Sequence, residues 1–145
     1  MQVILQFIYS FFATTGFAIY FGAPSSSIIM SGISGGLAWS LYFIVFNNFG
    51  NKIFAVFLGA LLVGFLGEIL AVKFRKPATV FITPSIVPLV PGAGMYYTMT
   101  HLVNREFNKA IATGSEVFFI AAAIALGIIV STLFSRSIRI FKKQT

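Results

Sequence analysis

Residues 83–97 read Thr83-Pro84-Ser85-Ile86-Val87-Pro88-Leu89-Val90-Pro91-Gly92-Ala93-Gly94-Met95-Tyr96-Tyr97, and this stretch decides the architecture. It is apolar enough to lie in lipid, yet it holds three prolines within eight residues. Each proline removes a backbone donor and clashes with the preceding turn, so no regular helix passes through. At membrane depth the freed carbonyls must face protein, water or a ligand. Two readings are open. The segment is a broken helix whose half-helix start turns its N–H groups toward an anionic group, or it is a kinked structural span whose free groups bond to neighbouring helices. The first reading makes Pro88, Pro91, Gly92, Gly94 and Tyr96 the candidate substrate path.

Working outward, five long apolar segments cover the chain, at about 2–20, 28–46, 53–72, 80–102 and 117–134. Each is close to the roughly 20 residues a bilayer crossing needs. Strands of a membrane barrel would alternate over short segments, and these runs do not. The expected fold is all-α: one polytopic transmembrane domain over residues 1–145, about five helices, the fourth interrupted by Pro and Gly. Composition agrees, with 58% hydrophobic and only 9% charged residues, where a soluble chain carries about a quarter. The apolar start from Val3 lacks a basic leader and a convincing cleavage site, so it reads as a retained span.

The net charge of +7 is not a nucleic-acid signal, because the basic residues cluster at the ends of apolar runs. With five crossings, Lys73, Arg75, Lys76, Arg136, Arg139, Lys142 and Lys143 share one side, and Lys52, Arg105 and Lys109 the other. The positive-inside rule then places the C-terminus in the cytoplasm and the N-terminus outside. Were the fourth segment only re-entrant, the basic tail would change sides and the bias would largely vanish.

Small residues recur at helical spacing: Gly32 and Gly36; Ala60 and Gly64; Gly67 and Ala71; Ala123, Gly127 and Ser131. They let helix backbones approach closely in lipid, where no hydrophobic effect drives association.

Few residues can carry chemistry. Glu68 lies about 6 Å inside the cytoplasmic end of the third span. It reads either as a gating or proton-coupling group or as an interfacial carboxylate paired with Lys73 or Arg75, since an isolated charge there is costly. Thr113-x-x-Glu116 fits a capping box opening the fifth helix. His101 reads as a structural interfacial histidine, with pH sensing as the alternative. Trp39, Tyr96 and Tyr97 suit interface anchors, and Tyr96 also follows the break, where its hydroxyl can meet a polar ligand. Asn47, Asn48 and Asn51 read as a loop and helix-start cluster. With no Cys or Asp and no H-E-x-x-H, a metal site or cysteine chemistry lacks ligands, and no phosphate-binding G-x-x-x-x-G-K-[ST] loop exists. No cofactor is expected. Glu68 and the group His101, Glu106 and Glu116 fall near opposite faces, separated by about 30 Å of hydrocarbon, so an intramembrane enzyme is disfavoured.

Pro77-Ala78-Thr79-Val80-Phe81, Ile86-Val87-Pro88-Leu89-Val90-Pro91-Gly92 and Tyr96, with the upstream Gly67-Glu68-Ile69-Leu70-Ala71 and basic cluster, resemble the second membrane domain of the threonine/serine exporter family. The resemblance covers essentially the whole chain. It implies a small membrane subunit that needs a larger partner, one with a soluble domain and about five membrane helices of its own. The implied cargo is threonine and serine, or small dicarboxylates such as succinate. A non-transporting assembly subunit is the competing reading.

Overall fold

A computed structural model describes the backbone of residues 2–143 and the side chains of residues 2–135. The expected positions Arg136, Arg139, Lys142 and Lys143 lie outside the described side chains. The chain forms α1 (Gln2–Tyr20), α2 (Ser25–Phe49), α3 (Lys52–Phe74), α4 (Thr79–Ile86), a 3-10 turn (Val87–Leu89), α5 (Gly92–Val103) and α6 (Phe107–Lys143). Among the described residues, four helices are each long and apolar enough to cross a membrane. Thr79–Leu89 and Gly92–Val103 together make a further candidate, bent by 56° at the break. The all-α polytopic expectation holds.

Local chemistry sets the helix ends. α2 stops at Gly50, whose left-handed φ of 66° lets its N–H reach the Phe46 carbonyl at 2.8 Å. This is the termination that glycine permits without a Cβ penalty. One residue later Asn51 caps α3, its side-chain oxygen accepting from the Phe54 N–H at 3.1 Å. Of the three asparagines read as a loop and helix-start cluster, only Asn51 starts a helix; Asn47 and Asn48 lie inside the last turns of α2, where Asn48 donates to the Ile44 carbonyl at 2.8 Å. At the other end of α2, Lys76 donates to Ser26 Oγ at 2.6 Å and Ser27 Oγ at 3.2 Å.

Every small-residue stripe meets a neighbouring helix. A Cβ on Gly32 would collide with Thr15 and Phe11 of α1, and one on Gly36 with Phe7. Gly64 of α3 lies against Ser131 of α6, Gly127 against Phe57 and Ala60, and Gly67 against Ile82 of α4. α1 buries only Ser10, Thr14 and Ala18, a four-residue repeat on its α2 face, and Ser10 donates to the Gly35 carbonyl at 3.1 Å. Thr14, Ser31 and Ser34 hydroxyls are buried without a partner among the described residues. Their place in the interface rests on size.

These contacts fix the directions. Lys52 meets Glu116, Gly64 meets Ser131 and Phe65 meets Phe134, so α3 and α6 run parallel. α4 runs the other way along α3, with Phe81 at Phe74, Ile82 at Gly67 and Leu89 at Gly59. α5 then continues outward along α6, with Gly94 against Val117 and Thr98 against Thr113 and Gly114. The bent pair therefore climbs from the Lys76 end of α3 past its Lys52 end. Lys76 and Arg105 stand at opposite ends of the bundle, the arrangement of one interrupted crossing. A returning loop would bring them to the same end.

The fifth helix departs from expectation. It opens at Phe107 rather than near Val117, so Thr113 and Glu116 lie inside it, and the capping box is not formed. Thr113 Oγ1 donates to the Lys109 carbonyl at 2.9 Å, while Glu116 reaches across to Lys52. The cause is physical: hydropathy marks the lipid-embedded part of a helix, and residues 107–116 are polar yet helix-permissive.

α4 is seated by Ser85, which is fully buried and shares its one hydroxyl proton between the Ser31 carbonyl of α2 at 3.0 Å and the Phe81 carbonyl at 2.7 Å. Ser85→Ala is expected to destabilise the folded chain by about 1 kcal/mol, the scale of one interhelical bond in a membrane protein. Unfolding in detergent against wild type checks this, and an unchanged midpoint would show the bond to be idle.

Candidate functional site

The helical path breaks and bends by 56° at Val90-Pro91-Gly92. Val90 is extended, with φ −67° and ψ 129°, as a residue before proline prefers. Pro91 (φ −77°, ψ 56°) then makes a tight inverse turn, the Gly92 N–H reaching the Val90 carbonyl at 2.8 Å. α5 begins at once, with the Met95 N–H on the Pro91 carbonyl at 3.0 Å. No side chain caps α5. The N–H groups of Ala93 and Gly94 precede its first donor, that of Met95, leaving free donors and the positive end of the helix dipole at the break.

A cavity of about 410 Å³ opens there, within the usual span for small-ligand sites. Pro88, Leu89, Pro91, Gly92 and Gly94 form one wall. Trp39 and Tyr42 of α2 form another, their rings 4.8 Å apart. Lys52, Thr113 and Glu116 stand among the polar lining. Leu89 packs at the level of Gly59, seven residues into α3 from Lys52. On α3 the lining runs from Lys52 to Val56, four residues in, so the cavity reaches about 6 Å below the Lys52 end of that helix. A smaller cavity of about 210 Å³ lies toward the opposite end, between the α1–α2 turn and Thr79, Thr83 and Pro84 of α4.

Of the residues the sequence singles out, Pro88, Pro91, Gly92 and Gly94 border the cavity together. Tyr96 does not: it is 68% exposed on this chain, and Tyr97, one position on, supplies the lining instead. One residue rotates a helix face by about 100°, and the phase of α5 is set by where the break ends. Glu68 is half-buried on α3, twelve residues and so about 18 Å beyond Val56, the deepest α3 residue of the lining. It belongs to a different region. Trp39, expected as an interface anchor, lies well inside α2 and donates from its indole to Gln6 Oε1 at 2.7 Å.

Sequence reading missed the pairing of Lys52 with Glu116, 2.6 Å apart. The residues are 64 positions apart, and no local pattern links them. Their side chains are 46% and 51% exposed, so the pair adds little stability, about 0–1 kcal/mol for such a bridge in water. Lys52 opens α3 at the positive end of its dipole, a poor place for a cation, and Glu116 offsets that cost.

His101, Glu106 and Lys109 form a separate polar cluster at the tip of the α5–α6 hairpin. His101 Nδ1 lies 2.7 Å from Glu106 Oε2, and Lys109 donates to Glu106 Oε1 at 2.8 Å. The Lys109 hydrogen bond, followed by that of His101, holds the Glu106 carboxyl below the ordinary glutamate range. A depressed carboxylate stabilises the fold above its unfolded pKa, and that contribution is lost as pH falls through the folded value. The protection factors of amides around residues 104–108, measured against the intrinsic exchange rate at each pH, are thus expected to fall on acidification through that range. In Glu106→Gln the acid dependence should be absent; its persistence would assign the effect to another group.

Comparison with known proteins follows the same lines. The family described as Threonine/Serine exporter, ThrE matches residues 6–134. A threonine/serine exporter of Corynebacterium glutamicum is 26% identical over 123 residues, covering 85% of this chain and 25% of the relative. A probable threonine/serine exporter of Mycobacterium tuberculosis is 27% identical over 119 residues, 81% of this chain and 22% of the relative. An uncharacterized protein of Haemophilus influenzae is 22% identical over 136 residues, 88% of this chain and 46% of its own length. The chain thus spans about a quarter of the two exporters and about half of the third relative. No solved structure matches it. With the broken, proline-rich span inside the matched region and the match running through nearly all of α1 to α6, the chain belongs to the threonine/serine exporter family.

Proposed function

We propose that this chain is the small membrane subunit of a secondary exporter of small amino acids such as threonine and serine, or of small dicarboxylates such as succinate. It works with a larger partner that carries a soluble domain and about five membrane helices. The observation that carries the reading is the cavity at the helix break, where Pro88, Pro91, Gly92 and Gly94 line the wall at the uncapped start of α5, beside charged and aromatic side chains. Such interrupted helices are where transporters hold polar cargo at membrane depth. The N-terminus and the Lys52 end face outward, and the C-terminus and the Lys76 end face the cytoplasm of a cell membrane, following the placement of Lys and Arg. Glu68, near the cytoplasmic end, is suited to gating or proton coupling and acts apart from the cavity.

Alternating access needs pseudo-symmetry or a partner, and in this reading the remaining length of the relatives marks what the partner supplies. The test is efflux of threonine and of succinate from proteoliposomes holding this chain with and without its partner. Efflux only from the pair supports the reading, whereas full transport by this chain alone removes the need for a partner. Substituting Pro91, Gly92 and Tyr97 separates transporter from scaffold: a path residue loses efflux while the complex still forms, but a scaffold loses both together.

A further inference from the structure

We propose that the Lys52–Glu116 pair sets the charge selectivity of the cavity, admitting a zwitterion and turning away a dianion. The inference rests on the transport reading and asks which residues choose between its two cargo classes.

Lys52 and Glu116 are the charged side chains in the cavity lining, one of each sign, and they are bonded to each other. The resting pair therefore carries no net charge. An amino-acid zwitterion can insert between the two, its ammonium on Glu116 and its carboxylate on Lys52, making two charge-assisted hydrogen bonds where there was one. The resting pair is half exposed on both sides, so it opens at small cost. A dicarboxylate brings two negative charges to the same place and finds only one cation. Its second carboxylate meets Glu116, and a like-charge contact at a binding surface is strongly unfavourable.

The surroundings sharpen the contrast. The uncapped start of α5, at Ala93 and Gly94, adds partial positive charge to the same cavity. Glu116 is then the group that keeps the site from being an anion site. Without its charge, Lys52 and the α5 terminus would together favour the dianion. Lys52 itself breaks a local rule by placing a cation at a helix N-terminus, and such departures concentrate at functional positions.

The experiment measures threonine and succinate transport by the chain with its partner in proteoliposomes, for wild type, Glu116→Gln, Lys52→Gln and the exchanged pair Lys52→Glu/Glu116→Lys. Glu116→Gln should shift the threonine-over-succinate preference toward succinate by about tenfold or more. Lys52→Gln should weaken both acids, and the exchanged pair should recover the preference that Glu116→Gln lost. Complex formation by size exclusion shows whether each variant assembles. Equal loss of both acids in Glu116→Gln, or an unchanged preference in both single variants, overturns the assignment. Wild-type protein that moves neither acid removes the transport reading and this assignment with it. Wild-type transport with an unmoved preference removes this assignment alone.

Discussion

Gly127→Ala is expected to destabilise the folded chain by about 2 kcal/mol, within the range for overpacking a tight interface. A Cβ at this position would sit 2.8 Å from the Phe57 carbonyl oxygen, 2.9 Å from Ala60 Cβ and 2.9 Å from the Leu61 backbone nitrogen. Two of those three atoms are backbone, which no rotamer change can move. α3 and α6 must then separate, and they form the most extensive helix pair in the bundle. A larger residue, as in Gly127→Leu, should prevent the folded state from accumulating. Gly16→Ala is the control, because nothing lies within 4 Å of its added Cβ and alanine favours the helix. Thermal unfolding in detergent reads both. Equal midpoints for Gly127→Ala and wild type would mean that the α3–α6 contact is looser than described.

Restoring the fourth crossing to a continuous helix should strongly impair the proposed transport while leaving the bundle intact. Proline inside a helix is unfavourable by about 3 kcal/mol, and at the break Pro91 also forces Val90 out of helical geometry. The double substitution Pro88→Ala/Pro91→Ala removes both obstacles and lets the helix run from Val87 into α5. The donors at Ala93 and Gly94 would then be taken up by carbonyls of the preceding turn, and the wall of the cavity would straighten. Threonine efflux by the proposed complex should fall about tenfold or more, since every 1.4 kcal/mol of lost binding is a factor of ten. Membrane insertion and assembly should be preserved, as α1, α2, α3 and α6 keep their contacts. Unchanged efflux would show that the break is a structural kink.

The parts of this fold that were legible in the sequence are those set by local chemistry. Long apolar runs marked the crossings, Asn51 marked a helix start, and the small-residue stripes announced close packing. Which stripe meets which helix was not legible. Gly32 and Gly36 face the phenylalanines of α1, whereas Gly64 and Gly127 face each other's helices, and size alone does not assign those partners. The beginning of α6 was hidden because residues 107–116 lack the hydropathy that betrays a buried helix. Of the candidate site, the prolines and glycines were legible through their backbone consequences. The choice of Tyr97 over Tyr96 depended on helical phase after the break, and the Lys52–Glu116 contact on the parallel course of two helices distant in sequence.

The central claim is that the interrupted fourth crossing presents a water-accessible, cargo-binding surface inside the membrane. Because the chain has no cysteine, Ala93→Cys gives a single thiol on the cavity wall. In the assembled complex a small hydrophilic thiol reagent applied at the Lys52 side should label it readily, and threonine should slow the labelling. Ile129→Cys, on an exposed apolar part of α6, should remain unlabelled. An Ala93→Cys thiol as inert as that control, or one whose labelling ignores threonine, would contradict the account.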